Sequence, residues 1–261
     1  MVKNATQFHP DRSRSAAEKI PFAIAWFPVQ TLAIIPARGG SRRLPGKNMR
    51  SFLGVPLITW SIRFAQRMNR FDKVIVSTDS EEIANVSRLA GVEVPYLRSP
   101  ALATDVATSV EVVLDILARE WESNRIYDLV ALLQPTSPVR EMSRWQEAFA
   151  RIESGDCDAV VGVAPIHTHP FHIFHQEEGG ALRPFGDTAG LHLRSQDLPQ
   201  AVCIAGNLYL IRSSMLKSHR SFFPPGTVGV LCDQPCEDID IDTEDDWVAA
   251  EALSKHYGKR P

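Results

Sequence analysis

The chain reads as an α/β fold: a mostly parallel sheet with helices on both faces. Three observations predict it. Short apolar, β-rich runs alternate with stretches of helical spacing along most of the 261 residues. The runs are continuously apolar, as in strands covered on both faces. Their order up to residue 165 is βαβαβαβαβ, the rhythm that builds a parallel sheet by crossover connections.

Each element has its own signal. "TLAIIPA" (31–37) is a buried-type strand. Pro56 stands where a helix starts, and Leu57, Trp60, Phe64 and Met68 recur at helical spacing. "DKVIVSTD" (72–79) is the next strand; Ser80 caps "EEIANVSRLAG", with Glu81 and Glu82 at the positive end and Gly91 at the stop. "VEVPYL" reads as a third strand. Val106, Val110, Val113, Leu114, Leu117 and Trp121 then make a helix face. "DLVALLQ" (128–134), the helix "EMSRWQEAFARIES" and the strand "DAVVGVAP" complete the rhythm. From His167 to Gln200 it breaks into Gly, His and Pro, with "QEEGGALRP" as a hairpin, an excursion from the sheet. Strands at 206–211 and 228–231 and a helix at 244–256 follow.

Residues 31–261 form one domain on this reading. Residues 1–30 are an N-terminal extension: "NATQFHPDRSRSAAEK" is polar and aperiodic, and the apolar "IPFAIAWFPV" carries two prolines and lies late for a signal segment. The extension is read as disordered or loosely packed. The net charge of −3 gives no global basic field for nucleic acid, and no apolar run approaches the ~20 residues of a membrane span. Cys157, Cys203, Cys232 and Cys236 form no C-x-x-C pair and read as reduced thiols of a cytoplasmic protein.

Two constellations carry chemistry. The first strand ends in "ARGGSRRLPGKN", which gathers Arg38, Arg42, Arg43 and Lys47, with Arg50 beyond, around Gly39, Gly40 and Gly46. Ligands of open α/β sheets bind at the carboxyl ends of strands, and glycines let backbone N–H groups approach an anion. Crowded like charges repel, so the loop calls for an anion, and phosphate is the expected one. The spacing is neither a Walker A loop nor G-x-G-x-x-G. The second is "EDIDIDTEDD" (237–246). As a strand it would set Asp238, Asp240 and Asp242 on one face and Ile239 and Ile241 in the core. Thr243 and Asp246 make a capping box for the last helix. The three repelling aspartates suit a hard cation such as Mg²⁺ held together with substrate phosphates. A phosphate loop plus acidic residues is the equipment of nucleotidyl transfer.

"IIPARGGSRRLPGKN", "VIVSTDS", "LATDVATS", "LLQPTSPVR" and "DIDIDTEDD" occur in this order, and together they resemble the acylneuraminate cytidylyltransferase (CMP-N-acetylneuraminic acid synthetase) family from Thr31 to the last helix. The resemblance implies a Rossmann-like fold, a homodimer and a Mg²⁺- or Mn²⁺-dependent reaction. In it the anomeric hydroxyl of a nine-carbon 2-keto-3-deoxy sugar acid attacks the α-phosphate of CTP. It assigns Arg38, Gly39, Ser41, Lys47, Asn48 and Ser109 to the nucleotide, with Arg38 and Lys47 catalytic, and Gln134 to the sugar. It gives Asp240 and Asp242 to the metal, not Asp238. It makes 167–200 the dimerisation segment, reaching the partner's site.

The sugar side departs from the family. Its Arg-x-Asn-Gly stretch is here Cys203, Ile204, Ala205, Gly206, with Asn207 following and Tyr209 in place. His172 stands where a lysine is usual, and Arg194 is a candidate clamp for the sugar carboxylate. The acceptor expected is therefore a pseudaminic- or legionaminic-type sugar. The alternatives are a 3-deoxy-octulosonate cytidylyltransferase and a non-catalytic nucleotide sensor. The spacing of His167, His169, His172 and His175 suits an interface and sugar-contact role better than zinc.

Overall fold

The computed structural model describes residues 29–261; the sequence expectations for residues 1–28 lie outside them. The elements are β1 (Thr31–Pro36), β2 (Ser51–Phe52), β3 (Val55–Pro56), α1 (Leu57–Met68), β4 (Lys73–Ser77), α2 (Glu81–Leu89), α3 (Ser109–Glu122), β5 (Leu129–Leu132), α4 (Met142–Glu153) and β6 (Ala159–Pro165). After them come β7 (Phe174–Gln176), β8 (Leu182–Pro184), β9 (Val202–Arg212), α5 (Ser213–His219), β10 (Val228–Leu231) and α6 (Glu244–His256).

Six strands form the central sheet in the order β10-β6-β9-β5-β1-β4. The pairs β1–β4, β1–β5 and β6–β10 are parallel, and β9 runs antiparallel to β5 and β6. The mostly parallel α/β sheet is thus present, with one reversed strand that splits it into two parallel parts. Alternate residues of β1 face opposite layers. Ala33 and Ile35 pack with Ile58 and Ile62 of α1, Ala84 of α2 and Trp145 and Phe149 of α4. Leu32 and Ile34 pack with Val112, Val113 and Ile116 of α3 and Leu216 of α5.

A third core lies at the edge where the basic loop returns. The β2–β3 hairpin delivers Phe52 against Trp60 of α1 and Trp247 of α6, with ring centroids 5.2 and 5.4 Å apart. Leu44 of the basic loop and Ile241 of the acidic segment are buried in the same cluster. Two hydrophobic anchors therefore hold segments nearly two hundred residues apart side by side.

Three expectations change. "VEVPYL" pairs with β4 only through the bridge Ile75–Glu93. The α3 helix starts at Ser109, which leaves Val106 outside it and exposed; Trp121, in its last turn, is exposed as well, and the buried face is Val112, Val113, Ile116, Leu117 and Glu120. Glu120 is tolerated there because Lys73, Arg125 and Tyr127 bond its carboxylate. Residues 238–242 form no strand; Ile241 N–H donates to Thr136 O at 2.8 Å, and Ile241 is buried while Asp240 is exposed. The alternation expected of a strand survives only at Asp240 and Ile241, since Asp238 and Ile239 are both half-buried.

The acidic segment begins at Glu237, which is buried, and its Oε1 lacks a hydrogen-bond partner among the described residues. Burial pushes its carboxyl up to about 6. A raised carboxyl pKa favours the folded state below the unfolded value, and that advantage is lost as pH rises through the folded value. Glu237→Gln is therefore expected to stabilise the protein above pH 6, by about 1–2 kcal/mol, and not near pH 4. Denaturant melts at the two pH values measure it; equal effects at both would remove the buried-charge explanation.

Candidate active site

The basic loop leaves β1 at its carboxyl end and lies over the carboxyl end of β4. Gly39 N–H donates to Asp79 Oδ1 at 2.8 Å, which spends that amide on the protein itself. Gly46 takes φ +68°, a left-handed turn that glycine adopts without strain. The turn returns Lys47 and Asn48 beneath Arg38, where Asn48 Nδ2 donates to Arg38 O at 3.0 Å. Asn48 is buried and its Oδ1 has no partner among the described residues.

These residues open onto a cavity of about 220 Å³ whose wall includes Arg38, Lys47, Asn48, Ser109 and Gln134. Five residues singled out from three separate stretches of sequence thus meet in one place. Ser109 is the first residue of α3, whose N-terminus is fixed by a Thr108–Glu111 capping box. The positive end of that helix favours an anion in the cavity. Gly39 and Ser41, in the same loop, are not in that wall.

The loop's charges are matched by carboxylates. Arg38 Nη1 is 2.7 Å from Asp105 Oδ1, and Arg42 holds the other oxygen of Asp105. Lys47 Nζ lies 2.7 Å from Asp242 Oδ1 and 2.9 Å from Ile241 O, and Arg43 also reaches Asp242. Arg50 Nη2 meets Glu244 Oε1 at 2.6 Å and stacks over Trp247 at 4.3 Å. The repulsion expected from sequence is therefore relieved from within. Asp240 stays exposed, with no hydrogen bond or ion pair among the described residues, and its charge helps raise the Tyr209 phenol after burial, the larger cause. Asp240 and Asp242 are the hard-oxygen side chains that could serve a Mg²⁺, a cation usually held by one or two carboxylates together with phosphates, and Asp242 is already paired with Lys47 and Arg43. Among the described residues no three His, Cys, Asp or Glu side chains cluster as a metal cage, the four histidines included.

Sequence reasoning missed two arginines and two phenylalanines. Arg98, buried in the cavity wall, donates through Nε to Ser77 Oγ at 3.0 Å and through Nη2 to Ser77 O, and burial lowers its pKa. Arg140, wholly buried, donates to Gln134 O, Ser61 Oγ and Asn207 O, and so fixes the turn that carries Gln134. A lone arginine in "YLRSP" or "SPVR" carries no periodic signal, and only the fold shows that both are inside. Phe222 and Phe223 pack on Tyr209, with ring centroids 5.5 and 6.2 Å away.

The remaining sugar-side residues lie apart from the cavity. Asn207 is buried and its Oδ1 accepts from Cys232 Sγ at 3.4 Å. Burial pushes the Cys232 thiol up to about 12. Cys203 is exposed, its Sγ 3.7 Å from Ala164 O and 4.0 Å from Asp238 Oδ1. Arg194 is exposed and paired with Asp197 at 2.7 Å. His172 lines a second cavity, of about 580 Å³, with His167, His169 and Gln200.

Comparison with known proteins identifies the family. Residues 32–198 match the Cytidylyltransferase family. The chain is 36% identical over 228 residues to the CMP-N,N'-diacetyllegionaminic acid synthase of Legionella pneumophila subsp. pneumophila, covering 86% of this chain and 96% of that protein. It is 34% identical to a pseudaminic acid cytidylyltransferase of Campylobacter jejuni subsp. jejuni, covering 87% and 97%. The structure of CMP:2-keto-3-deoxy-manno-octonic acid synthetase complexed with CTP shares the fold, with a TM-score of 0.63 at 15% identity, over 87% of this chain and 99% of that one. The chain belongs to the cytidylyltransferase family, and it is an enzyme of the nucleotidyltransferase type.

Gly206 supports the cavity from behind. At φ +75°, a Cβ there would meet Ser137 Oγ at 2.6 Å and Gln134 Oε1 at 3.7 Å. Gly206→Ala is expected to cost roughly 2–3 kcal/mol, from left-handed strain and steric overlap, and to displace the Gln134 turn. Thermal denaturation reads the cost. A variant as stable as the parent would show that the turn gives way freely.

Proposed function

We propose that the chain transfers CMP from CTP to the anomeric hydroxyl of a nonulosonic acid and releases pyrophosphate. The observation that carries this reading is the meeting of Arg38, Lys47, Asn48, Ser109 and Gln134 on one cavity, with Asp242 against Lys47. The sugar hydroxyl oxygen bonds to the α-phosphorus as the bond from that phosphorus to the oxygen bridging the β-phosphate breaks; the hydroxyl proton passes to solvent, and pyrophosphate carries away the electron pair. Arg38 binds the triphosphate. Lys47, little exposed and anchored at both its carboxylate and carbonyl partners, stabilises charge growing on the α-phosphate. Asp240 and Asp242 would hold Mg²⁺ or Mn²⁺, whose chemistry when bound is to neutralise phosphate charge. Gln134 faces the acceptor from the turn braced by Arg140.

The acceptor reading is a legionaminic- or pseudaminic-type acid. The two relatives named for those sugars support it, as do Cys203 and Ala205 on β9, which provide neither a guanidinium nor an amide. Tyr209, with Phe222 and Phe223, gives that side an aromatic wall. A homodimer fits the surface: Leu231, Val163 and Ile204 stand in one cross-strand row, and Leu231, Ile204 and Val202 are exposed. Such a row suits a second copy, with residues 167–200 beside it. The protein is read as cytoplasmic; among the described residues no helix is long and apolar enough to cross a membrane.

Pyrophosphate release from CTP in the presence of N,N'-diacetyllegionaminate, pseudaminate and N-acetylneuraminate tests this function. A kcat/KM at least tenfold higher for one of the first two than for N-acetylneuraminate is expected, since one mispaired polar group costs roughly 1–3 kcal/mol. A preference for N-acetylneuraminate would overturn the acceptor reading, and no release with any sugar acid would overturn the function.

Lys47→Ala should keep the fold and lower kcat by ~10²-fold or more. Near-normal turnover would remove Lys47 from the reaction. Treatment with EDTA should abolish turnover and Mg²⁺ or Mn²⁺ restore it; undiminished turnover in EDTA would rule out Asp240 and Asp242 as metal ligands.

A further inference from the structure

The cavity that gathers the nucleotide-binding side chains is too small for its proposed ligand. Its 220 Å³ falls below the roughly 300–1,000 Å³ of pockets that take small molecules. Part of its wall is Asp105, together with Thr104 and Ala107. Asp105 is also the counter-ion of the loop: one carboxylate oxygen holds Arg38 and the other holds Arg42.

The segment around Asp105 is a short strap between two fixed points. On one side, Arg98 bonds Ser77, and Ala103 N–H closes a tight turn onto Pro100 O. On the other, the Thr108–Glu111 capping box fixes the start of α3. Between them, Thr104 Oγ1 donates to Ala101 O at a long 3.4 Å, and the side-chain ties to the basic loop are those of Asp105. Both partners of the Arg38 pair are about one-third exposed, so water reaches them and the pair can open at modest cost.

We propose that Asp105 is an internal stand-in for phosphate: it neutralises Arg38 and Arg42 in the free enzyme, and the triphosphate displaces it as the strap 103–107 moves out. This rests on the reading of the cavity as the CTP site. A carboxylate in the ligand's place keeps the arginines aimed without a bound anion. It also competes with every phosphate that enters, so it weakens the hold on substrate and on product pyrophosphate alike. Phosphate binding and opening of the wall become one event.

Calorimetric titration of the full chain with CTP, pyrophosphate and cytidine tests the proposal on the parent, Asp105→Asn and Asp105→Ser. Both variants are expected to bind CTP and pyrophosphate roughly three- to tenfold more tightly at low salt, with the gain shrinking at high salt and absent for cytidine. Unchanged or weaker phosphate binding in folded variants would overturn it and make Asp105 a support of the bound state. If the parent binds CTP and the variants show no gain, only this proposal falls; if the parent binds no CTP, the reading of the site falls with it.

Discussion

Everything at the site depends on holding five cations at one edge of a sheet. Arg38, Arg42, Arg43, Lys47 and Arg50 lie within thirteen residues of sequence, and in water their repulsion would spread the loop. Three carboxylates from distant parts of the chain prevent that. Asp105 comes from the strap before α3, Asp242 from the segment before α6, and Glu244 from the first turn of α6. The pairs are partly exposed, so each contributes little to stability alone. Their value is geometric, because they keep the cations aimed.

The hydrophobic layer beneath makes this pairing possible. Leu44 and Ile241 are buried in one cluster with Phe52, Trp60 and Trp247, so the basic loop and the acidic segment share a floor. Burying such side chains is worth roughly 1.5–3 kcal/mol each, far more than the ion pairs above them. Packing sets the positions, and charge then sets the directions. The same division holds at the Gln134 turn, where the buried Arg140 donates to the carbonyls of Gln134 and Asn207 and ties the turn to β9.

Much of this was legible in the sequence, for local reasons. Continuous apolar runs mark strands of a covered sheet, and β1, β4, β5, β6 and β10 fall where those runs lie. Caps at Ser80 and Thr243 place two helix starts. The cavity residues Arg38, Lys47, Asn48, Ser109 and Gln134 came from ordered motifs. What sequence hid is what only the fold decides. The direction of β9 depends on its neighbours, and its apolar pattern is the same either way. Asp105 stood inside a quoted motif, yet its pairing with Arg38 across 67 positions has no local trace. Arg98 and Arg140 look like surface residues until the fold buries them. The alternation in "DIDID" gave the burial of Ile241 correctly and suggested a strand that the single bond to Thr136 does not make.

The central claim is that this edge is built for a polyphosphate and that charge dominates recognition there. The most direct measurement is the affinity of the full chain for cytidine, CMP and CTP at low and high ionic strength. Affinity should climb with each phosphate, and the advantage of CTP over cytidine should shrink as salt rises and the Debye length falls to ~3 Å. Equal affinity for all three, or a CTP affinity indifferent to salt, would contradict it.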